Sequence, residues 1–305
     1  MPDTLTLQVL QEAVAGRAAA FRSITKFQPA GGGGDKVFPP TYEGGAYALE
    51  RRPVCIGDRE ERIVDCVLMN SVQSEANFME EALYEAAAAG QIVIPLVEVD
   101  FSESDLPRPV ANVSSLHAPH RLADAILRDS VLLDSDTMFK DSEHGRRWGG
   151  ATLRNATPIY ELCPTALLFG LWGSPEKPGG LGAKFERAIV SEIVGIDCLQ
   201  VDKRCGFRVD PVGISKHAMV VADKAGFRLA ADATEKGAMR PSAINHGNII
   251  FESRNAGVRC RYFEQTTVLS LPALRKLRFQ IDERGASSDV DSAARTVLAA
   301  LGLCG

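Results

Sequence analysis

Apolar positions along the first half of the chain switch between helical and strand-like spacing, and the two periods predict its elements. Leu7, Leu10 and Val14 recur at helical spacing, whereas the segment "RIVDCVLM" is continuously apolar and β-branched. A later helical pattern ends at Gly90. We predict helices over 5–21, 70–89 and 119–133, and strands over 62–69 and 91–101.

The second half is dominated by short apolar runs separated by turn residues, which is typical of strands and hairpins. Strands are predicted over 165–172 and 187–195, and hairpins over 217–232 and 248–271. A short basic helix over 272–279 follows, and a final helix begins after Ser287 or Ser288 and ends near 303. The predicted elements run strand–helix–strand in the first half of the chain and form hairpins in the second half. This order predicts a mixed α+β fold rather than a regular βαβα alternation.

Segments rich in glycine and proline interrupt this pattern at 29–45, 173–183 and 236–247. They are interpreted as loops that extend from one core, because no linker separates two complete patterns. We therefore predict a single domain over residues 1–305, with a variable region at 200–247. The first of these segments, "QPAGGGGDKVFPPTYEGG", fits a linker, a phosphate-binding loop or a clamp for a long charged ligand.

Composition narrows the class of protein but not its function. Hydrophobic residues make up 45% and charged residues 24% of the chain, as in ordinary globular proteins. No apolar run reaches the length of about 18 residues that a membrane span needs, and no secretory signal pattern opens the chain. The seven cysteines form no CxxC pair. We therefore expect reduced thiols in a cytoplasmic protein, without a disulfide scaffold or a zinc site.

The net charge of −5 argues mildly against a nucleic-acid partner, but the charges are unevenly distributed. Only acidic charges occur between Arg62 and Arg108, and only basic charges occur between Glu12 and Asp35. Local potential, rather than net charge, steers a polyanion toward a surface. Ordinary solvated faces explain the same distribution, so charge alone does not decide.

The second glycine-rich segment, "GSPEKPGGLGAKF" at 173–185, is compared with the known phosphate-binding loops. A P-loop requires GxxxxGK[ST], but here Ala183 precedes Lys184 and Phe185 follows it, so the hydroxyl that binds Mg²⁺ is missing. The dinucleotide pattern GxGxxG also fails at its third glycine. A nucleotide-hydrolysing loop is therefore excluded, while a loop that carries one lysine to a phosphate remains open.

Metal and nucleophile patterns are weak. His120 and Asp124 are four residues apart in a predicted helix, with His117 nearby, but no known metal signature supports them. No GxSxG elbow is present, and no cysteine has a motif-like histidine beside it. Polar surface residues at a helix start explain these positions better than a metal site or a catalytic site.

The start of the predicted helix "NSVQSEANFMEEAL" collects uncharged hydrogen-bond donors. Asn70 is a candidate cap, with Gln73 in the capping-box position. Ser71 and Ser74 lie in the first turn, and Asn77 is four residues after Gln73. A helix N-terminus offers free N–H groups to an anion. Capping alone explains Asn70, Ser71 and Gln73, but it does not explain Asn77.

Several long segments, taken together, resemble one family. In order along the chain they are "QPAGGGGDKVFPPTY", "VLMNSVQSEANFMEEAL", "HRLADAILRDS", "ATPIYELCPTALLFGLW", "GGLGAKFERAIVSEIVG", "HGNI" and "QTTVLSLPALRKLRF". They resemble the CRISPR-associated RAMP backbone protein of type I-G (formerly I-U) systems, the Cas-seven-type subunit of Cascade. The resemblance extends from about residue 17 to 280.

The resemblance implies a modified RRM-like (ferredoxin-like) palm with inserted hairpins and a thumb-like projection. Copies of such a subunit would polymerise head to tail along one CRISPR RNA, beside other Cascade subunits, and present its spacer to a strand of invading DNA. It also implies a non-catalytic RNA-binding scaffold without a cofactor, because target cleavage in this family belongs to a separately recruited helicase–nuclease.

Residues that suit such a scaffold can be named. In RNA-guided complexes base pairing supplies sequence specificity, so the protein contacts the backbone through isolated cations, amides, hydroxyls and helix N-termini. We predict RNA contacts at Lys36, Ser71, Gln73, Ser74, Asn77, Arg121, Arg154, Lys184 and Arg187.

Two other functions remain as alternatives. The first is a metal-dependent RNA endonuclease of the RAMP superfamily, for which Asp35, Asp134 and Asp136 are candidate acids, although none lies in a motif that indicates cleavage. The second is a stand-alone small-molecule enzyme that uses the 173–185 loop.

Overall fold

The protein is described here by a computed structural model over residues 4–56, 60–106, 110, 112–173, 182–201, 218–245, 256–281, 285 and 287–305. Within these residues the α-helices are α1 (Leu7–Ala15), α2 (Val72–Ala88), α3 (Ala125–Arg128), α4 (Glu143–Gly149), α5 (Thr157–Leu162), α6 (Ala166–Phe169), α7 (Leu271–Arg275) and α8 (Ser288–Cys304). No helix in this described part is long and apolar enough to cross a membrane.

The strands form one main sheet and short hairpins. They are β1 (Ala20–Phe27), β2 (Leu49–Ile56), β3 (Glu60–Asn70), β4 (Glu98–Asp100), β5 (Asn112–Ser114), β6 (Leu171–Trp172), β7 (Lys184–Phe185), β8 (Ile189–Gln200), β9 (Val220–Asp223), β10 (Gly226–Leu229) and β11 (Val258–Ser270). The five-stranded sheet has the order β1-β11-β8-β3-β2, and β4–β5, β6–β7 and β9–β10 are two-stranded pairs.

The register of the main sheet shows antiparallel pairing at both edges. In β1 and β11, Ala20 is opposite Ser270 and Phe27 is opposite Phe263. In β2 and β3, Leu49 is opposite Val67. Helices together with a main antiparallel sheet confirm the predicted α+β class, while the RRM-like palm and its thumb stay predictions.

Residues with short polar side chains begin the long helices. Ser71 Oγ accepts a hydrogen bond from Ser74 N at 3.2 Å and caps α2. Ser287 Oγ accepts one from Val290 N at 3.2 Å and caps α8, as predicted. The predicted cap of α2, Asn70, is wrong by one residue, because its side chain donates to the Glu75 carboxylate instead.

Several predicted element boundaries are wrong. The helix predicted over 5–21 ends at Ala15, where Gly16 follows as its C-cap, and Ala20–Phe27 is an edge strand. The strand predicted over 91–101 contains only Glu98–Asp100. Pairing with the distant strand β11, which local periodicity does not record, defines Ala20–Phe27, while Glu98–Asp100 is limited to the three residues that pair with β5.

Two further predictions were wrong about short helices, one taken for a strand and the other for part of a single long helix. The run over 165–172 forms α6, whose four residues are all buried, and only its last two residues are a strand. A continuous apolar run is compatible with a buried strand or a buried helix. The helix predicted over 119–133 is a 3₁₀ turn at Arg121–Ala123 followed by α3, since the Asp124 carboxylate accepts from Ile126 N at 3.0 Å and starts a new helix.

The chain separates into two compact units. The first unit contains Met1–Phe27, Leu68–Val194 and Phe263–Gly305, and the second contains Gln28–Val67 and Gly195–Tyr262. The predicted single domain over 1–305 remains a prediction, and the predicted strand over 248–253 lies outside the described residues.

The large apolar core belongs to the first unit. It packs buried side chains of α1, α2, α5, α6, α7 and α8 against the inner residues of β6, β7 and β8. Leu83, Phe169, Ile189 and Leu298 are among its most deeply buried members. This core fixes the position of the short elements α6, β6 and β7.

The expectation of reduced thiols throughout is wrong for one pair in the second unit. Cys198 of β8 and Cys260 of β11 form a disulfide, and both residues are buried. These strands are neighbours in the main sheet, which brings together two cysteines separated by 62 residues. Sequence spacing could not show this pairing, because it depends on the register of the two strands. Free cysteines in the described chain are Cys55, Cys66, Cys163 and Cys304.

Candidate functional site

A cleft of about 610 Å³ in the first unit brings together predicted RNA-contacting residues from separate parts of the sequence. Arg121, Lys184 and Arg187 all line it. Its remaining walls are Pro119, His120, Leu153, Phe169, Gly170, Leu171, Trp172, Phe185, Glu186 and Lys276. The size is typical of sites that take one small ligand or one part of a larger one.

A buried ion pair lies beneath this cleft. Arg121 Nε and Nη2 donate to the two carboxylate oxygens of Glu80 at 2.7 and 2.6 Å, and Nη1 donates to the Gly170 carbonyl at 3.0 Å. Burial raises the pKa of Glu80, against the opposing effect of Arg121. Arg121 has a positive φ of 52° and is buried. Its guanidinium is thus largely engaged within the chain, and its predicted RNA contact stays a prediction.

Arg187 presents a less engaged guanidinium to the cleft. The side chain is half-buried, and Nε donates to the Phe169 carbonyl at 3.1 Å. Burial, and then the neighbouring Arg121, lower the pKa of Arg187. Arginine nevertheless remains protonated in proteins. The result is a cation held in a fixed position, with N–H groups that the Phe169 carbonyl does not use.

At the exposed edge of the cleft, a lysine side chain lies over an aromatic ring. Trp172 of β6 is opposite Lys184 of β7, and Lys184 Nζ lies 4.6 Å from the centre of the indole ring. Trp172 is 69% exposed, an unusual state for a large aromatic side chain. Sequence reasoning missed Trp172. A tryptophan at the end of "LFGLW", directly before a glycine-rich segment, is the signal that could have identified it.

Lys276 also lines the cleft, and sequence reasoning did not assign this cation to the site. Its Nζ lies 2.5 Å from Glu186 Oε1, and both side chains are exposed. The other cations of the basic segment "LRKLRF" also bind within the chain. Arg275 donates to three backbone carbonyls near α1, and Arg278 pairs with Asp291 at 2.9 Å. This segment therefore offers less free positive charge than its sequence indicates.

The second unit contains a comparable pair at Lys36, which was predicted from the first glycine-rich loop. Lys36 Nζ lies 5.1 Å from the ring centre of Phe38, which is 60% exposed. Val37 pairs with Val258 through two backbone hydrogen bonds of 2.9 Å. At Gly257, φ is +101° and an added Cβ would lie 2.7 Å from the Val37 carbonyl oxygen and 2.9 Å from Lys36 Cγ. A glycine at 257 is therefore required for this placement of Lys36.

The start of α2 was predicted as an anion site from Ser71, Gln73, Ser74 and Asn77. Ser71 and Ser74 are half-buried and bonded to each other through the cap, while Gln73 and Asn77 are exposed. An acidic side chain lies in the same turn. The buried Glu75 carboxylate accepts from Ser191 Oγ at 2.8 Å and from Gln265 Nε2 at 2.7 Å.

The fixed negative charge of Glu75 offsets the positive end of the helix dipole, so this terminus is a weaker anion site than its sequence indicates. The predicted RNA contacts at Gln73 and Asn77 stay predictions that depend on the exposed amides of these side chains.

The last predicted contact, Arg154, is an exposed residue whose backbone carbonyl accepts from Gln280 Nε2 at 3.3 Å. It does not line the cleft. The proposed common helix face of His120 and Asp124 is wrong, because Asp124 is the cap of α3. Within the described ranges, no group of three or more His, Cys, Asp or Glu side chains could hold a metal ion.

Comparison with known protein families finds a match within the first two thirds of the chain. The family described as CRISPR-associated protein GSU0053 matches residues 22–200, which is more than half of the 305 residues. The matched range includes Lys36, the start of α2, and the cleft residues Arg121, Trp172, Lys184 and Arg187. Among curated proteins, none matches the chain. The chain belongs to the family of CRISPR-associated protein GSU0053.

Proposed function

We propose that this protein is the CRISPR RNA-binding backbone subunit of a type I-G Cascade complex. Copies of the chain polymerise head to tail along the guide RNA, beside other Cascade subunits, and present its spacer for pairing with a strand of invading DNA. The subunit acts as a non-catalytic scaffold in the cytoplasm. Its membership of a CRISPR-associated family supports a role in a CRISPR system.

The observation that carries the proposal is the convergence of cations and an exposed aromatic ring in one cleft. Lys184 and Arg187 line this cleft beside Trp172, and Arg121, 66 positions before Arg187 in the sequence, lies in its wall with its guanidinium bound to Glu80. Proteins that bind single-stranded nucleic acid without sequence preference combine a basic groove with aromatic stacking surfaces. A guide-holding subunit needs this chemistry, because the guide itself supplies the sequence specificity.

A second pair of the same chemistry supports an extended RNA contact. Lys36 and Phe38 repeat the lysine-over-ring arrangement of Lys184 and Trp172 in a different part of the chain. RNA is long and repeats its phosphates and bases, so a scaffold that follows it benefits from more than one such contact. A small-molecule enzyme would need a single site.

The test is expression of the full chain together with a CRISPR array, followed by purification and sequencing of any bound nucleic acid. We expect guide-length RNA derived from the array, in an assembly larger than a monomer by size exclusion. The matched variant Lys184→Ala/Arg187→Ala should retain less RNA than Arg147→Ala, which removes an exposed arginine outside the cleft.

Three outcomes would contradict this function. A compact monomer without RNA would favour a stand-alone enzyme. Bound RNA without any relation to the array would indicate a general RNA-binding protein. Periodic, EDTA-sensitive cleavage of complementary RNA in the presence of Mg²⁺ would favour the endonuclease alternative.

A further inference from the structure

The Cys198–Cys260 disulfide lies near the ends of two strands of the second unit. Cys198 is two residues before the end of β8, and Cys260 is two residues after the start of β11. Beyond the bond the backbones stay paired, because Val201 N donates to the Gly257 carbonyl at 2.9 Å and Ala256 N donates to the Val201 carbonyl at 3.0 Å. The disulfide therefore adds a covalent link to a short stretch of backbone pairing.

The same end of β11 holds residues 36–47, which we call the Lys36 segment. The backbones of Val37 and Val258 exchange two hydrogen bonds of 2.9 Å. Gly257 N donates to the hydroxyl of buried Tyr47 at 3.1 Å. The first side chain of the segment packs on Gly257, where an added Cβ would lie 2.9 Å from the lysine Cγ. All three attachments are made within three residues of the half-cystine in β11.

A buried disulfide has a particular meaning in a reducing compartment. Disulfides of cytoplasmic proteins are usually transient and serve in catalysis or redox sensing. Only this cytoplasmic setting is taken from the proposed function. Both half-cystines are buried, so a reductant reaches the sulfur atoms when the strand ends open locally. Such an opening separates the pairing at Val201, which lies at the end of the strand pair.

A third buried cysteine lies on the neighbouring strand. Cys66 belongs to β3, which is next to β8 in the sheet, and its side chain is fully buried. The thiol donates to the Val64 carbonyl at 3.8 Å, and burial raises the pKa of the Cys66 thiol. Because the thiolate rather than the thiol attacks a disulfide, Cys66 does not compete for the bond. The state of the bond is then set by an external reductant.

We propose that the Cys198–Cys260 disulfide is a redox-responsive link that fixes the Lys36 segment when oxidised and releases it when reduced. The reductant is a dithiol. One of its thiolates attacks a sulfur of the bond and forms a mixed disulfide, while the other cysteine leaves and takes up a proton. The second thiolate of the reductant then attacks the mixed disulfide and frees the first cysteine. Two electrons and two protons pass to the cysteines, and the dithiol leaves as a disulfide.

The test follows hydrogen exchange in the full chain by mass spectrometry, without RNA. The protein is compared after treatment with oxidised glutathione and with dithiothreitol, and alkylation of free thiols reports the state of the bond. Reduction should accelerate exchange of the Val37, Gly257 and Val258 amides about 10- to 100-fold, the lower part of what a disulfide contributes to an opening equilibrium. The amide of Leu298 in α8 should exchange equally in both states and serves as the reference.

Variants connect the change to this one bond. Cys198→Ala/Cys260→Ala should exchange like the reduced wild type under both conditions. Cys55→Ser removes an exposed free thiol and should respond to dithiothreitol as the wild type does. Reoxidation of the reduced wild type should restore slow exchange, as a reversible link requires. The wild-type comparison needs no substitution, so it decides the matter even if the double variant does not fold.

Three results would overturn the inference. The first is that oxidised glutathione forms no bond between the two cysteines. The second is that dithiothreitol reduces the bond only after global unfolding, which would make it a permanent structural link. The third is a bond that opens while exchange of the three amides stays unchanged, because other contacts then hold the Lys36 segment. RNA binding is measured separately, so a chain that carries no array-derived RNA would refute the proposed function and leave this link standing.

Discussion

The two compact units are stabilised in different ways. The apolar core cluster lies entirely within the first unit and joins its helices to the inner residues of its strands. The described residues of the second unit bury a smaller apolar set, with the Cys198–Cys260 disulfide among them. A unit with a smaller apolar core gains proportionally more from a covalent link.

The same contrast extends to the two lysine–aromatic pairs. Lys184 and Trp172 belong to a hairpin that adjoins a buried helix and a buried ion pair. Lys36 and Phe38 belong to a loop fixed by a single bridge and by the small size of Gly257. Substitutions should therefore act through packing and charge burial in the first unit, and through backbone conformation in the second.

The largest expected effect is at the ion pair under the cleft. Arg121→Ala leaves the Glu80 carboxylate buried and unpaired, so it should lower the free energy of unfolding by about 3–5 kcal/mol. Urea unfolding followed by circular dichroism measures this change. The matched control is Arg147→Ala, which breaks the exposed pair with Glu161 and should cost about 0–1 kcal/mol. Equal losses in both variants would show that the Arg121–Glu80 pair is not buried in solution.

The second effect tests the covalent link of the second unit. Replacing both Cys198 and Cys260 with alanine should cost about 2–4 kcal/mol of unfolding free energy. Reducing agent should lower the stability of the wild-type protein and leave that of the double variant unchanged. Cys55→Ser, at an exposed free thiol, is the control and should retain the response to reductant. A wild-type protein that is insensitive to reductant would indicate that the bond is absent in solution.

The fold was predicted best where local signals and tertiary structure agree. The helix that ends near Gly90 and the final helix after Ser287 were predicted correctly, because each has a clear period and a clear boundary residue. The strand predicted over 187–195 exists as β8, but it continues past Gly195 to Gln200. The edge strand β1 was missed, since its side chains are mostly exposed and only pairing with β11 defines it. Buried α6 was mistaken for a strand because every one of its positions is apolar.

The candidate site was predicted in part. Lys184 and Arg187 were identified from a glycine-rich segment, and Arg121 was also predicted to contact RNA. Nothing in the sequence indicated that the three would line one cleft or that Glu80 would bind Arg121. Trp172 was missed because a tryptophan at the end of an apolar run resembles a core residue. Convergence of this kind depends on tertiary contacts, which a single sequence does not encode in any local pattern.

A smaller effect is expected at Gly257. Alanine at this position must adopt a positive φ and would bring its Cβ within 2.7 Å of the Val37 carbonyl oxygen. We expect a loss of at least about 1–2 kcal/mol in unfolding free energy and a shift of Lys36. Gly33→Ala in the same loop is the control, because nothing lies within 4 Å of its added Cβ, and the change should stay within about 0.5 kcal/mol. Equal stability of the two variants would contradict the close approach at Gly257.

The smallest expected effect decides whether the two lysine–aromatic pairs serve one RNA. Each lysine that contacts a phosphate of single-stranded RNA adds about 0.7 to the slope of log affinity against log salt concentration. Lys184→Ala and Lys36→Ala should each lower this salt slope by that amount when binding of guide-length RNA is measured. The double variant should lower it by the sum. Arg147→Ala should leave the slope unchanged. If only Lys184→Ala lowers the slope, the Lys36 loop lies outside the RNA path, and the shared lysine–aromatic geometry reflects local packing of Lys36 on Phe38 rather than recognition.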